Sequence, residues 1–189
     1  MPLNLPNLIT WLRILLIPLI VGVFYLPDAW LTMDGKNIAA TAIFIFAAVT
    51  DWLDGYLARA LNQTSAFGAF LDPVADKLMV AGALIVLLQL DRVESVVALI
   101  IIGREIAISA LREWMASLGK SKSVAVAFVG KIKTVSQMIA VPLLLYHNDL
   151  FGVVNCQVLG TILINVAAVL TVISMLYYLR RALPEAMAG

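Results

Sequence analysis

The chain has 189 residues, of which 62% are hydrophobic and 13% are charged, and its formal net charge is +1. Soluble domains are about 45–50% apolar and about 25% charged, so this composition excludes an ordinary water-soluble fold. The balanced charge excludes a strongly basic nucleic-acid-binding protein, and the single cysteine, Cys156, excludes an internal disulfide bond.

Six apolar segments are each long enough to cross a membrane as a helix. The hydrocarbon core of a bilayer is about 30 Å thick and requires roughly 20 helical residues. The sequence therefore predicts an all-α integral membrane protein, a bundle of six transmembrane helices formed by one domain over residues 1–189. The predicted spans are 8–26, 38–57, 70–90, 96–118, 124–146 and 151–179, after a short interfacial segment at 1–7.

The charges between the spans predict the orientation of the bundle. The loops on the side of the two termini contain the cations Arg59, Lys120, Lys122, Arg180 and Arg181. The opposite loops contain mainly acidic residues, with Lys36 and Arg92 as their cations. Because cytoplasmic loops of membrane proteins are enriched in Lys and Arg, we expect both termini to face the cytoplasm.

Several charged residues fall inside the spans rather than between them. They are Asp51, Asp54, Asp72, Asp76, Lys77, Arg104, Glu105, Arg112, Glu113, Lys131 and Lys133. A charge near the bilayer centre costs on the order of several kcal/mol, so such residues face a polar cavity or pair with one another. All lie in the cytoplasmic half of their span, which predicts one polar cavity open to the cytoplasm. Structural ion pairing with a neighbouring arginine explains Glu105 and Glu113 equally well, but the aspartates have too few neighbouring cations.

The spacing of the aspartates predicts a metal site. Asp51 and Asp54 are three residues apart, and Asp72 and Asp76 are four apart, so each pair shares one helix face. Carboxylates at this density repel one another unless they are protonated or bridge cations. Oxygen ligands without His or Cys favour Mg²⁺ or Mn²⁺ over zinc, and a pair of such ions commonly binds a diphosphate. We therefore predict two ions of Mg²⁺ or Mn²⁺.

The residues around the aspartates complete a longer motif. It reads Asp51-x-x-Asp54-Gly55-x-x-Ala58-Arg59, then eight residues, then Gly68-x-x-x-Asp72-x-x-x-Asp76. This string resembles the signature of the CDP-alcohol phosphotransferases at every fixed position. The resemblance implies that Asp51, Asp54 and Asp72 hold the metals that bind the CDP diphosphate. It implies that Asp76 is both a metal ligand and the general base that deprotonates the acceptor alcohol. The positions it implies for binding the CDP-linked lipid are Asp54, Gly55, Ala58, Arg59 and Gly68.

A second, basic set of residues favours a phosphorylated acceptor. The predicted acceptor-binding residues are Thr10, Arg13, Arg104, Arg112, Lys131 and Lys133. Arg104 and Arg112 are separated by about 80° around a helix, so they can converge on one pocket. Choline would be repelled by this set and serine would need fewer cations, whereas a free phosphate accounts for the excess of positive charge.

Over nearly its whole length the chain resembles the bacterial members of this family that use glycerol 3-phosphate. The resemblance implies that CDP-diacylglycerol and glycerol 3-phosphate are the substrates and that the lipid tails lie in the bilayer. It also implies a homodimer in the bacterial inner membrane, with the active site facing the cytoplasm.

Other functions for the carboxylates are disfavoured by their surroundings. A cation transporter would carry polar residues through the whole bilayer and break helices near the midplane, whereas these charges stay on one side. Intramembrane prenyltransferases resemble Asp-x-x-Asp-x-x-x-Asp on one helix, and the continuation Gly55-x-x-Ala58-Arg59 disfavours that class. Within the family, another acceptor alcohol is the remaining alternative.

Overall fold

The computed structural model describes residues 5–60, 66–117 and 128–187 of the chain. These residues form six long helices and one short antiparallel hairpin. The helices are α1 (Leu5–Gly22), α2 (Met33–Ala60), α3 (Ala66–Gln89), α4 (Ser95–Ser117), α5 (Phe128–Tyr146) and α6 (Cys156–Met187). A 3₁₀ turn at Val23–Tyr25 follows α1, and strands β1 (Asp149–Leu150) and β2 (Val154–Asn155) pair just before α6.

One helix lies over each predicted apolar segment, and the differences are at the ends. The first helix begins at Leu5, inside the segment predicted to lie along the interface, and residues 1–4 are outside the described part of the chain. The predicted start of the fifth span at 124 is also outside it. Helices α2 and α6 continue past the predicted spans to Ala60 and Met187, because Ala, Leu and Arg favour helix where the apolar pattern has already ended.

Small side chains let the helices approach one another closely. The helix α5 packs along α6, α1 packs against α2 and α3, and α4 packs against α6. At Gly160 on α6, an added Cβ would lie 2.7 Å from Cγ of Leu144 on α5, so a larger residue would displace Leu144 or separate the helices. The apolar core between the helices includes Ile20, Ala40, Phe44, Ala47, Met79, Ala83, Leu84, Ile101 and Ile164.

The outer surface of the bundle is apolar. Every helix exposes large hydrophobic side chains, for example Leu15, Phe46, Phe70, Leu99, Val135 and Val169. Among the described residues, the segments Leu8–Tyr25 and Cys156–Arg180 are long and apolar enough to cross a membrane, and only 17% and 33% of their apolar windows are buried. Exposed apolar side chains in this number mark a surface that another apolar phase covers. The two segments and this exterior indicate association with a membrane.

Arg92, in the turn between α3 and α4, joins three elements at one end of the bundle. Its guanidinium donates hydrogen bonds to the carbonyl oxygens of Leu144 and Leu145, at 3.1 and 2.9 Å. It also donates to Oδ1 of Asn37, near the start of α2, at 2.9 Å. A helix leaves its last carbonyl groups unpaired, and a cation near them is favoured by the helix dipole. Arg92 therefore fastens α2, α5 and the α3–α4 turn at the end of the bundle away from the aspartates.

Candidate active site

Two residues of α1 bring the predicted aspartates of α2 and α3 together. Thr10 and Arg13 are three residues apart, so both side chains leave the same face of α1. The hydroxyl of Thr10 donates a hydrogen bond to Oδ1 of Asp72 at 2.7 Å. Nη1 of Arg13 donates to Oδ1 of Asp51 at 2.7 Å and to Oδ1 of Asp76 at 2.6 Å. We call Asp51, Asp72 and Asp76 the acidic cluster.

Arg13 forms the buried side of this arrangement, and the carboxylates form its open side. The Arg13 side chain is 0% exposed, whereas those of Asp51 and Asp76 are 36% and 44% exposed. A buried charge is tolerated only where it is paired, and here two carboxylates pair with one nitrogen. Like charges approach this closely because a cation lies between them. The acidic cluster is therefore built around a fixed positive charge and opens away from it.

The chemistry of the acidic cluster suits a hard divalent cation. It offers only oxygen donors, and two of its carboxylates already converge on one cationic atom of Arg13. The side chain of Asp54, the remaining predicted ligand, lies outside the described residues. Among the side chains that are described, no three His, Cys, Asp or Glu residues gather closely enough to hold one ion. The arrangement fits a cation, and the metal site itself stays a prediction.

A cavity of about 240 Å³ brings the acidic cluster and the basic residues into one space. Asp51 of α2 and Asp76 of α3 line it, together with Lys133 of α5 and Glu105 of α4. Lys133 is only 3% exposed and forms an ion pair with Glu105. The residue predicted to be the general base and a residue predicted to bind the acceptor phosphate therefore border the same cavity.

Glu105 connects Lys133 to a second cation. Its carboxylate also accepts a hydrogen bond from Nη1 of Arg104 at 3.1 Å, so the structural ion pair predicted for Glu105 is present. Arg104 in turn donates to Oγ of Ser174 on α6 at 3.2 Å. The described residues that line the cavity do not include Arg104. Its positive charge is therefore linked to the cavity through Glu105.

Arg104 and Arg112 converge on an aromatic ring rather than on the cavity. The guanidinium carbon of each lies 5.6 Å from the ring centroid of Tyr178, which is 1% exposed. Guanidinium groups at this distance are attracted by the negative face of the ring. The convergence predicted from the eight-residue spacing therefore occurs, and Tyr178 occupies the point at which the two arginines meet.

Several predicted site residues have no described side chain. These are Asp54, Gly55, Ala58 and Arg59 in the last turns of α2 and Lys131 in the first turn of α5. Lys120 and Lys122, which contributed to the predicted orientation, lie outside the described residues altogether. Gly68 is described and is buried near the start of α3, one turn before Asp72.

A profile of the CDP-alcohol phosphatidyltransferase family matches residues 3–173. The chain belongs to this family. It is 50% identical over 184 residues to proteins named CDP-diacylglycerol–glycerol-3-phosphate 3-phosphatidyltransferase from Escherichia coli K12, Shigella flexneri serotype 5b and Salmonella choleraesuis. The matched region covers 96% of this chain and 96% of each of these relatives. The resemblance inferred from the aspartate motif is thereby confirmed at the level of the family.

Some contacts of this CDP-alcohol phosphatidyltransferase were not predicted from its sequence. Ser174 and Tyr178 receive Arg104 from α4, and their four-residue spacing on one face of α6 was the available signal. The bridge from Glu105 to Lys133 gave no such signal, because the two residues are 28 positions apart on different helices. Contacts within one helix face are thus readable from spacing, whereas pairing between helices is not.

Replacement of Arg13 by methionine should destabilise this CDP-alcohol phosphatidyltransferase by about 2–3 kcal/mol. Breaking a fully buried ion pair costs about 3–5 kcal/mol, and the partial exposure of Asp51 and Asp76 reduces that figure. Thermal unfolding of the purified protein in detergent measures the loss. The matched variant Arg112→Met removes an exposed arginine over Tyr178 and should cost less than about 1 kcal/mol. Equal losses in the two variants would contradict the central position of Arg13.

Proposed function

We propose that this protein transfers the phosphatidyl group of CDP-diacylglycerol to the sn-1 hydroxyl of glycerol 3-phosphate, giving phosphatidylglycerophosphate and CMP. The observation that carries the proposal is the single cavity bordered by Asp51, Asp76 and Lys133. The carboxylates suit a metal-assisted displacement at a diphosphate, and the lysine suits a free phosphate on the acceptor. The names of relatives that are 50% identical over nearly the whole chain support the same reaction. The product would feed the synthesis of phosphatidylglycerol and cardiolipin.

The proposed reaction is one in-line displacement at the phosphorus of the lipid phosphate. The sn-1 oxygen of the acceptor forms a P–O bond while the P–O bond to CMP breaks. The proton of the acceptor hydroxyl passes to a carboxylate oxygen of Asp76, which acts as general base. The 2.6 Å hydrogen bond from Arg13 fixes the orientation of that carboxylate. Holding base and hydroxyl in one cavity lowers the entropic cost of the step.

Lys133 is the residue we assign to the acceptor phosphate. Its ammonium group has three N–H donors, and Glu105 is one partner, so donors remain for phosphate oxygens. Arg104, one contact further away, adds positive potential to the same region. Thr10 and Arg13, which the sequence assigned to acceptor binding, contact the aspartates, and we also assign them to positioning the acidic cluster. Arg112 and Lys131 stay predicted acceptor contacts.

Two ions of Mg²⁺ or Mn²⁺ are the proposed cofactors. Such ions neutralise a diphosphate and the charge that develops on the departing phosphate. The residues that would hold them are Asp51, Asp54, Asp72 and Asp76. The CDP-diacylglycerol site would be completed by Gly55, Ala58, Arg59 and Gly68.

The proposed setting is the cytoplasmic membrane of a bacterium, crossed by all six helices. Both termini and the cavity would face the cytoplasm. Glycerol 3-phosphate and the CDP group of the lipid substrate would reach the cavity from water, and the acyl chains would stay in the bilayer. The charged residues that line the cavity, which come from α2, α3, α4 and α5, support this placement, because they gather at one end of the bundle. The protein is further proposed to be a homodimer on the basis of the family resemblance.

Activity should require both a phosphorylated acceptor and a divalent ion. Purified protein in detergent, given CDP-diacylglycerol and radiolabelled glycerol 3-phosphate, should move the label into lipid and release one CMP for each lipid formed. Chelation should abolish the transfer, and added Mg²⁺ or Mn²⁺ should restore it. Labelled glycerol is the matched acceptor, since it differs only by the phosphate, and it should give little product. Equal transfer to glycerol or serine would indicate another acceptor, and no CMP release with any alcohol would overturn the reaction.

A further inference from the structure

Gln137 is a buried polar residue whose side-chain oxygen has no hydrogen-bond donor among the described residues. It lies on α5, is 4% exposed, and its Oε1 accepts no hydrogen bond from any described residue. Leaving a buried acceptor unpaired costs about 1–3 kcal/mol, so a group that supplies the missing donor is bound more tightly. The same side chain lines the 240 Å³ cavity next to Asp76 and Lys133. The cavity therefore contains an acceptor that the protein itself leaves unused.

The position of Gln137 on α5 is informative about the ligand. Lys133 and Gln137 are four residues apart, so their side chains leave the same face of the helix about one turn, or about 5.4 Å, apart. Asp76 reaches the same cavity from α3. The cavity of about 240 Å³ is large enough for several water molecules and therefore for a small polar molecule. Lys133, Gln137 and Asp76 thus border one space that suits a small molecule with several polar groups.

We propose that Oε1 of Gln137 accepts a hydrogen bond from the sn-2 hydroxyl of glycerol 3-phosphate. Gln137 is then a residue that determines the specificity for the acceptor. The inference rests on the proposed function and extends it to the middle carbon of the acceptor. With the phosphate at Lys133 and the sn-1 hydroxyl at Asp76, the sn-2 hydroxyl lies between the two ends of the molecule. It supplies the donor that Gln137 lacks. An acceptor without that hydroxyl leaves the buried amide oxygen unpaired, and a site built for a hydroxyl rejects such an analogue.

The test compares two acceptors that differ only in this hydroxyl, glycerol 3-phosphate and 3-hydroxypropyl phosphate. The kcat/KM of the wild-type protein should be about 10- to 100-fold higher for glycerol 3-phosphate, as expected for one unpaired buried acceptor. In Gln137→Met, which keeps the length of the side chain, the two acceptors should differ by less than about threefold. The smaller preference should come from a lower kcat/KM for glycerol 3-phosphate, and Gln137→Leu should give the same result.

Two controls separate recognition from a structural effect. Thr134 also borders the cavity, but its hydroxyl donates to the carbonyl oxygen of Gly130, so Thr134→Val should keep the wild-type preference. Replacing an unpaired buried polar group by an apolar one of similar shape is nearly neutral for stability, so the melting temperature of Gln137→Met should not fall. A structural role for Gln137 predicts the opposite, a lower melting temperature with an unchanged preference.

The outcomes distinguish this inference from the proposed function. If the wild-type protein transfers to glycerol 3-phosphate and Gln137→Met keeps the full preference, the role of Gln137 is overturned and the function stands. A wild-type protein that uses both acceptors equally well overturns the role in the same way. If the wild-type protein transfers to neither acceptor, the proposed function itself has failed.

Discussion

Replacement of Asp76 by asparagine should lower kcat for phosphatidyl transfer by about 10²–10⁴-fold, the range that a positioned general base contributes. Asparagine has nearly the same shape, and its amide oxygen still accepts the hydrogen bond that Arg13 donates to Asp76. It has no basic oxygen to take the proton of the acceptor and is a poor metal ligand. The variant should therefore fold and still bind glycerol 3-phosphate while the chemical step fails. Steady-state release of CMP at saturating Mg²⁺ measures the effect.

An aspartate at the other end of the bundle provides the matched control. Asp149 lies in strand β1 and is exposed, so Asp149→Asn makes the same chemical change far from the cavity. Its kcat should stay within about twofold of wild type, since surface substitutions of this kind shift free energies by at most about 0.5 kcal/mol. Full activity in Asp76→Asn would remove Asp76 from the role of base.

Replacement of Lys133 by methionine should lower kcat/KM for glycerol 3-phosphate by at least about 30-fold and leave the KM for CDP-diacylglycerol nearly unchanged. Removing one partner of a buried charge contact costs about 2–5 kcal/mol, and about 1.4 kcal/mol corresponds to tenfold. The loss should be confined to the acceptor because Lys133 borders the cavity from α5, whereas the acidic cluster comes from α2 and α3. Initial rates with each substrate varied in turn measure the two constants.

Lys36 offers a control for this variant at a second buried lysine. It is also a buried lysine, 4% exposed, and it also forms an ion pair, at 2.7 Å with Asp28. Its partner Asp28 is 83% exposed whereas Glu105 is 22% exposed, so Lys36→Met should cost less stability than Lys133→Met. It removes a buried lysine without touching the cavity, and its acceptor kinetics should equal those of the wild type. Lys133→Arg keeps the positive charge and should recover part of the activity. A loss of the same size in Lys36→Met would show that Lys133 acts through folding alone.

The number and approximate positions of the helices could be predicted from the sequence because apolar length is a local property. The grouping of the aspartates was also predictable, since Asp72 and Asp76 share a face by spacing alone. The role of Arg13 was not, because its partners Asp51 and Asp76 are 38 and 63 residues away. A cation in an apolar helix signals that it has a polar partner, but its spacing does not say which one. The sequence assigned Arg13 to the acceptor, which stays a prediction, and its contacts with the two aspartates were visible only in the structure.

The unpaired side-chain oxygen of Gln137 could not be predicted from the sequence for a different reason. A glutamine in an apolar segment predicts only that some polar group lies nearby. That its acceptor atom lacks a donor follows from the packing of α5 against its neighbours, which no local pattern contains. A missing hydrogen-bond partner can therefore be recognised only from the three-dimensional structure.

The hydrogen bonds of Arg92 have a mechanical consequence for the passage of substrates. One guanidinium joins α2, α5 and the α3–α4 turn at the end of the bundle remote from the aspartates, so we expect those segments to act as a fixed base. Helices that are held together at one end can separate only at the other end. A lipid with two bulky tails and a product of similar size would then be exchanged by a small splaying of the helix ends around the cavity. The base would keep the register of the helices throughout each cycle of turnover.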